Sequence, residues 1–119
     1  MINYSLRGAT CIKKNDEKQI EFATQELLLE MMTRNSINKD DITQIIFSAT
    51  RDITKIYPAA CARKLGITNA SLMCLQEMYV ENSLPLCIRV LMNFNGKENM
   101  KISNVYLHEA KKLRPDLQD

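Results

Sequence analysis

Arg89 stands inside the apolar run Leu86-Cys87-Ile88-Arg89-Val90-Leu91-Met92. A fixed positive charge there is costly unless a partner or ligand neutralises it. The run reads as a β-strand, and alternation puts Arg89 on one face with Cys87 and Leu91 while Ile88 and Val90 point the other way. A second arginine, Arg7, closes the N-terminal strand Ile2-Asn3-Tyr4-Ser5-Leu6-Arg7, just before Gly8-Ala9-Thr10. Guanidiniums carry planar forks that hold carboxylates at two points, and they stay charged. Taken singly, each arginine reads as a structural salt bridge; together they point to a pocket for a dianionic small molecule. Glu77, an acid among apolar neighbours at a strand end, and Tyr106, in Val105-Tyr106-Leu107, strengthen that reading.

Other chemistries have less support. His108, the single histidine, has no serine or cysteine at an interpretable spacing, so a hydrolase triad is not indicated. Cys74 lies next to the proposed acid but reads as a small buried hydrophobe. Met31, Met32, Met73 and Met78 read as core filling. Gly8, Gly66 and Gly96 each stand alone, so no phosphate-cradling loop and no nucleotide cofactor is expected. No metal is expected either, because one histidine would have to recruit scattered cysteines.

Composition bounds the remaining possibilities. At 119 residues the chain fits one domain, taken as 1–119. Sixteen basic and fourteen acidic residues are spread along it for a net charge of +2, which argues against a nucleic-acid partner. No segment approaches the ~20 apolar residues of a membrane span, and Asn3, Ser5 and Arg7 interrupt any signal-peptide core. The four cysteines, Cys11, Cys61, Cys74 and Cys87, are irregularly spaced and read as reduced thiols of a cytoplasmic protein.

These residues need a scaffold. Residues 2–10 alternate as a strand. Asn15 is expected to cap a helix with Asp16 and Glu17 in its first turn, and Ile20, Ala23, Leu27 and Met31 repeat at helical spacing. Ile42–Ala49 follows as a strand, with Ile45-Ile46-Phe47 expected to be buried on both faces at the sheet centre. Pro58 opens a short helix over Ala59–Leu65, closed by Gly66. Strands then follow at Ser71–Leu75, around Arg89, and, after the Asn95-Gly96 turn, at Ile102–Leu107. The order β-α-β-α-β-β-β predicts an α+β fold, one mixed five-stranded sheet with two helices on one face. The uncovered face and edge favour a symmetric oligomer with ligand sites between subunits.

Six segments also carry a family resemblance. Leu6-Arg7-Gly8-Ala9-Thr10, Ser48-Ala49-Thr50, Tyr57-Pro58-Ala59, Cys74-Leu75-Gln76-Glu77-Met78, Cys87-Ile88-Arg89-Val90 and Val105-Tyr106-Leu107 occur in order and register. They resemble the small α/β, monofunctional chorismate mutases of the trimeric class, and Leu113-Arg114-Pro115-Asp116-Leu117 resembles that family's C-terminal segment. The resemblance runs from about residue 3 to residue 117. It implies a homotrimeric pseudo-α/β barrel with active sites at the subunit clefts. It further implies conversion of chorismate to prephenate, in phenylalanine and tyrosine biosynthesis, without a cofactor. By position, Arg7, Cys74, Glu77, Arg89 and Tyr106 match the main ligand contacts. Tyr57, Ala59 and Arg63 match a wall from the neighbouring subunit, and Leu113 and Arg114 a mobile lip. The chain departs from the family at Ala60, where lysine is common, at Met73, which replaces a small hydroxyl residue in the pocket, and at Tyr57, which replaces phenylalanine. These departures are expected to alter entrance electrostatics and pocket shape.

The implied reaction is a unimolecular Claisen rearrangement. It asks for confinement of a flexible arm and stabilisation of charge on an ether oxygen. Arg89 is expected to serve that oxygen and one carboxylate, Arg7 and Tyr106 the enolpyruvyl carboxylate, and Glu77 the ring hydroxyl. Cys74 would be a nearby wall and Arg63 would supply positive potential at the mouth. The competing readings are a non-catalytic trimeric module that binds a small carboxylate, and a trimeric imine deaminase of similar architecture.

Overall fold

The computed structural model describes residues 1–113. Strand β1 (Ile2–Cys11) leads into helix α1 (Glu17–Arg34), and strand β2 (Ile42–Ala49) into helix α2 (Pro58–Lys64). Strands β3 (Ser71–Gln76), β4 (Cys87–Gly96) and β5 (Val105–Tyr106) follow, with short 3-10 segments at Lys39–Asp41 and His108–Leu113. The five strands form one sheet in the order β3-β2-β4-β1-β5. The β2–β3 and β1–β5 pairs are parallel, and β4 runs antiparallel to both neighbours. The expected mixed sheet and element order are present.

Both helices pack on one face. Leu6, Met92, Ile45 and Phe47 are fully buried on it, against Leu27, Leu28 and Met31 of α1. Gly8 belongs to this face, and a Cβ there would collide with Met31 Sδ, so the glycine lets α1 lie close to β1. Ile20, Ala23, Leu27 and Met31 are all buried, as their spacing predicts. Pro58 opens α2, and Gly66, at φ +90°, lets the chain turn away after it.

Several expectations are corrected. The cap of α1 is Asp16, whose Oδ2 accepts from Gln19 N at 3.1 Å. Asn15 instead ties down the loop after β2, donating to Thr54 Oγ1 at 2.8 Å and accepting from Thr54 N at 3.0 Å. The central strand is β4, not β2, and Ile46 is only half-buried because both α-helices pack on the other face of the sheet. Met73 and Met78 are not core filling: they are 57% and 76% exposed, whereas Met31 and Met32 are buried. The last strand is confined to Val105–Tyr106, since residues 97–104 make a loop held by the Tyr4 hydroxyl, which donates to Lys97 O and accepts from Met100 N. Buried Asn35 then docks the end of that loop on α1 by donating to Ser103 O and accepting from Ser103 N at 2.7 Å.

The cysteine expectation also changes. Cys11 and Cys87 face each other directly in the β1–β4 register, with Cα atoms 4.2 Å apart, and form a disulfide. Their separation of 76 residues hides this pairing in the linear sequence. Cys61 and Cys74 remain free thiols.

Candidate active site

Register alone assembles the bare face of the sheet. Leu75 pairs with Ser48, Ser48 with Arg89, Arg89 with Ala9, and Ala9 with Tyr106, so one row crosses all five strands. The next row is Met73, Ile46, Leu91 and Arg7. Arg7 and Arg89 are therefore diagonal neighbours on one face. Ala9, between Arg89 and Tyr106, is fully buried in a cluster with Tyr106, Cys11, Cys87 and Ala110.

Strand β4 is set in place at its entry. Leu86 adopts φ 52°, uncommon for a residue with a side chain, and Asp52 accepts from its backbone N–H through both carboxylate oxygens at 3.2 and 3.1 Å. The Thr50 hydroxyl donates to Asp52 at 2.5 Å and accepts from Cys87 N at 3.0 Å. These contacts, with the Cys11–Cys87 bridge, fix the strand two residues before Arg89.

Arg89 Nε lies 3.2 Å from Glu77 Oε2, and both side chains are half-buried. The Nε–H is not aimed at that oxygen, so this buried nitrogen makes an ion pair without a hydrogen bond. Glu77 is held by others. Its N–H extends the sheet to Ala49 O, Ser48 Oγ donates to its Oε2 at 3.1 Å, and Met78 N donates to its Oε1 at 3.0 Å. Arg7 is exposed and makes no ion pair among the described residues, although its N–H donates to Asn104 Oδ1. The Tyr106 ring is buried beside Ala9, Cys11, Cys87 and Ala110, and its hydroxyl has no partner among the described residues. Arg7, Glu77, Arg89 and Tyr106 are thus brought together on one face.

Other expected residues lie elsewhere. The register puts Cys74 beside Phe47, on the helix-bearing face, where its Sγ accepts from Ala59 N at 3.4 Å. Burial pushes the Cys74 thiol above its ordinary pKa, against the Ala59 N–H and the Arg63 charge, which pull it down. Ala59 is buried in α2, Arg63 is exposed on it, and Tyr57 is 72% exposed just before it. Met73 projects from the bare face. Leu113 ends the 3-10 helix and packs on the Tyr106 cluster, while Arg114 lies outside the described residues. His108 meets Glu26 of α1 at 2.8 Å, away from the row.

Two cavities flank the Thr50–Arg51 corner. One, of about 340 Å³, includes Glu77, Tyr79 and Leu84; the other, of about 330 Å³, includes Tyr57, Cys74 and Lys55. Arg51 stacks over the Tyr79 ring at 3.9 Å. Ser48 and Asp52 were not singled out as site residues from sequence. Ser48 had a signal, since alternation along β2 opposes it to Phe47, but only the tertiary register brings it to Glu77.

Fold and cluster together define a small α+β scaffold that gathers cationic and hydroxyl donors on one sheet face. Residues 4–117 match the family model for chorismate mutase type I. The chain is 38% identical over 115 residues to chorismate mutase AroH of Thermus thermophilus, covering 95% of this chain and 94% of that one. It is 35% identical over 119 residues to chorismate mutase AroH of Bacillus subtilis, covering 98% and 94%. A solved chorismate mutase from Clostridium thermocellum superposes with a TM-score of 0.87 at 43% identity, over 92% of this chain and 98% of that one. The chain belongs to the type I chorismate mutase family, and its enzyme class is isomerase.

Proposed function

We propose that this chain converts chorismate to prephenate, for phenylalanine and tyrosine synthesis in the cytoplasm, in clefts between the subunits of a homotrimer. The observation that carries the reading is the set of unsatisfied donors on one sheet face. The Arg7 guanidinium, the terminal nitrogens of Arg89 and the Tyr106 hydroxyl make no hydrogen bond among the described residues. Chorismate carries two carboxylates, and two guanidiniums match that charge.

The rearrangement breaks an ether C–O bond while a C–C bond forms, with no proton transferred. Catalysis then rests on two effects. Arg7 and Tyr106 hold the enolpyruvyl carboxylate so that the arm stays folded over the ring. Arg89 donates to the ether oxygen as negative charge grows there, and to a carboxylate, while Glu77 accepts from the ring hydroxyl. Ala60, lacking a charge, leaves the exposed Arg63 to supply positive potential at the cleft mouth.

The shared cleft is supported by the division of residues within one chain. Arg7, Glu77, Arg89 and Tyr106 lie on the bare face, whereas Cys74, Ala59 and Arg63 belong to the α2 side. One small molecule touches both sets most simply if a second copy supplies the α2 side. Met73 and Leu75, 57% and 51% exposed on the bare face, give a second copy an apolar surface to cover. Arg114, with Leu113, would form the lip.

The test is loss of chorismate absorbance with purified protein, together with the mass of the particle in solution. Turnover by a trimer is expected. A folded trimer that binds chorismate without converting it would leave the non-catalytic module; a fully active monomer would overturn the shared cleft.

A further inference from the structure

We propose that Ser48 is a positioning residue: its hydroxyl keeps Glu77 in place for the ring hydroxyl when Arg89 leaves that carboxylate for the ligand. The inference rests on the reading of Glu77 and Arg89 given above.

Among the described residues two groups share Glu77 Oε2. Ser48 Oγ donates to it at 3.1 Å, and Arg89 Nε stands 3.2 Å away without aiming its N–H. Among the described residues only Ser48 therefore fixes this oxygen by a directed bond. The other oxygen takes the N–H of Met78, the next residue, at 3.0 Å. That local contact moves with Glu77 itself and leaves the carboxylate free to swing about Oε1. Ser48 belongs to a different strand, paired with Arg89 on one side and Leu75 on the other, so it ties the acid to the sheet.

The arrangement matters once the ligand arrives. Arg89 has to turn its guanidinium toward the ether oxygen, and the ion pair with Glu77 then loosens. An ionised carboxylate has about four acceptor positions, so Glu77 can keep Ser48 and Met78 and still accept from the ring hydroxyl. With Ser48 gone, the acid is free to follow Arg89 and compete with the ligand for it. The hydroxyl serves the reaction through Glu77, without touching the reacting atoms.

The experiment is a double-mutant cycle with Ser48→Ala and Glu77→Ala, read as kcat/KM for chorismate and as calorimetric affinity for prephenate. The second reading works even where turnover is too slow to follow. A hydrogen bond to a charged group predicts that Ser48→Ala alone lowers kcat/KM roughly tenfold to a hundredfold. In the Glu77→Ala background the same change should cost almost nothing, in either measurement. Ser48→Thr, which keeps the hydroxyl and suits a strand, should recover most of the loss. An equal cost in both backgrounds, or no cost in the wild type, overturns the positioning role alone. Full turnover by Glu77→Ala would instead overturn the reading of Glu77 on which the role rests.

Discussion

Arg89 Nε and Glu77 Oε2 lie 3.2 Å apart, and 29% and 27% of the two side chains remain exposed. An ion pair so open to water contributes about 0–1 kcal/mol to stability. It offsets the Arg89 charge without a directed hydrogen bond and can be given up for a ligand at little cost. Arg89 should therefore be dispensable for folding and critical for turnover.

Arg89→Ala is expected to leave a folded protein and to lower kcat about a hundred- to a thousandfold, as loss of one preorganised oxyanion donor does. Arg89→Lys should rescue poorly, because a point charge does not reproduce the two-point fork. Steady-state kinetics beside a thermal melt separates the two effects. Near-normal turnover by Arg89→Lys would remove Arg89 from its assigned role.

Arg63→Ala and Arg89→Ala should complement each other if clefts are shared. Arg63 lies on α2 and Arg89 on the opposite face of the sheet. In mixed oligomers some clefts then carry both lesions and others neither. Activity above both parents is the expected result once subunit exchange is established. A simple average of the parents would place the whole site within one chain.

The Cys11–Cys87 bridge closes a loop spanning 76 positions. Chain-entropy reasoning gives such a cross-link up to about 4.5 kcal/mol. Urea denaturation with and without a phosphine reductant measures it, and Cys11→Ser should match the reduced wild type. Pro85 O stands 3.3 Å from Cys87 Sγ, ready to accept from the thiol that reduction creates. Identical midpoints for oxidised and reduced protein would show that the bridge does not contribute.

Much of this was legible in the sequence, and most of the failures have a non-local cause. Alternation and helical spacing located β1, α1, β2, α2, β3 and β4, because burial on one face writes a period into the chain. The grouping of Arg7, Glu77, Arg89 and Tyr106 was legible because charge in an apolar strand is rare. What escaped depends on non-local register. The sheet order puts β4 at the centre, and register pairs Cys11 with Cys87 and Ser48 with Arg89, which no local pattern encodes. The exposure of Met73 and Met78 escaped likewise, since a methionine reads as core wherever it falls.

Cys61 sets an alkaline limit on stability. Burial, helped by the Glu21 charge, raises its pKa from an ordinary 9.0 to about 11. The folded state therefore keeps this proton where the unfolded chain has lost it. The stabilisation is complete below about pH 9 and is lost as pH rises toward 11, by at most about 2–3 kcal/mol. Denaturation midpoints of wild type and Cys61→Ala, compared across that range, should converge. Parallel curves would mean that Cys61 does not titrate as described.

Cys74 is the residue most open to a covalent reading, and the structure argues against it. Burial raises its thiol pKa, so below its ordinary value of 9.0 it stays protonated and a poor nucleophile. Its sulfur accepts from Ala59 N in the first turn of α2, where helix N–H groups lack partners within the helix. Cys74→Ala should then cost about 1 kcal/mol through that bond and keep substantial turnover. Because no proton moves in the rearrangement, kcat should stay flat from mildly acidic pH to about pH 9, with no solvent isotope effect. A folded but dead Cys74→Ala protein, or a bell-shaped pH profile, would require acid–base or covalent chemistry in place of confinement and charge stabilisation.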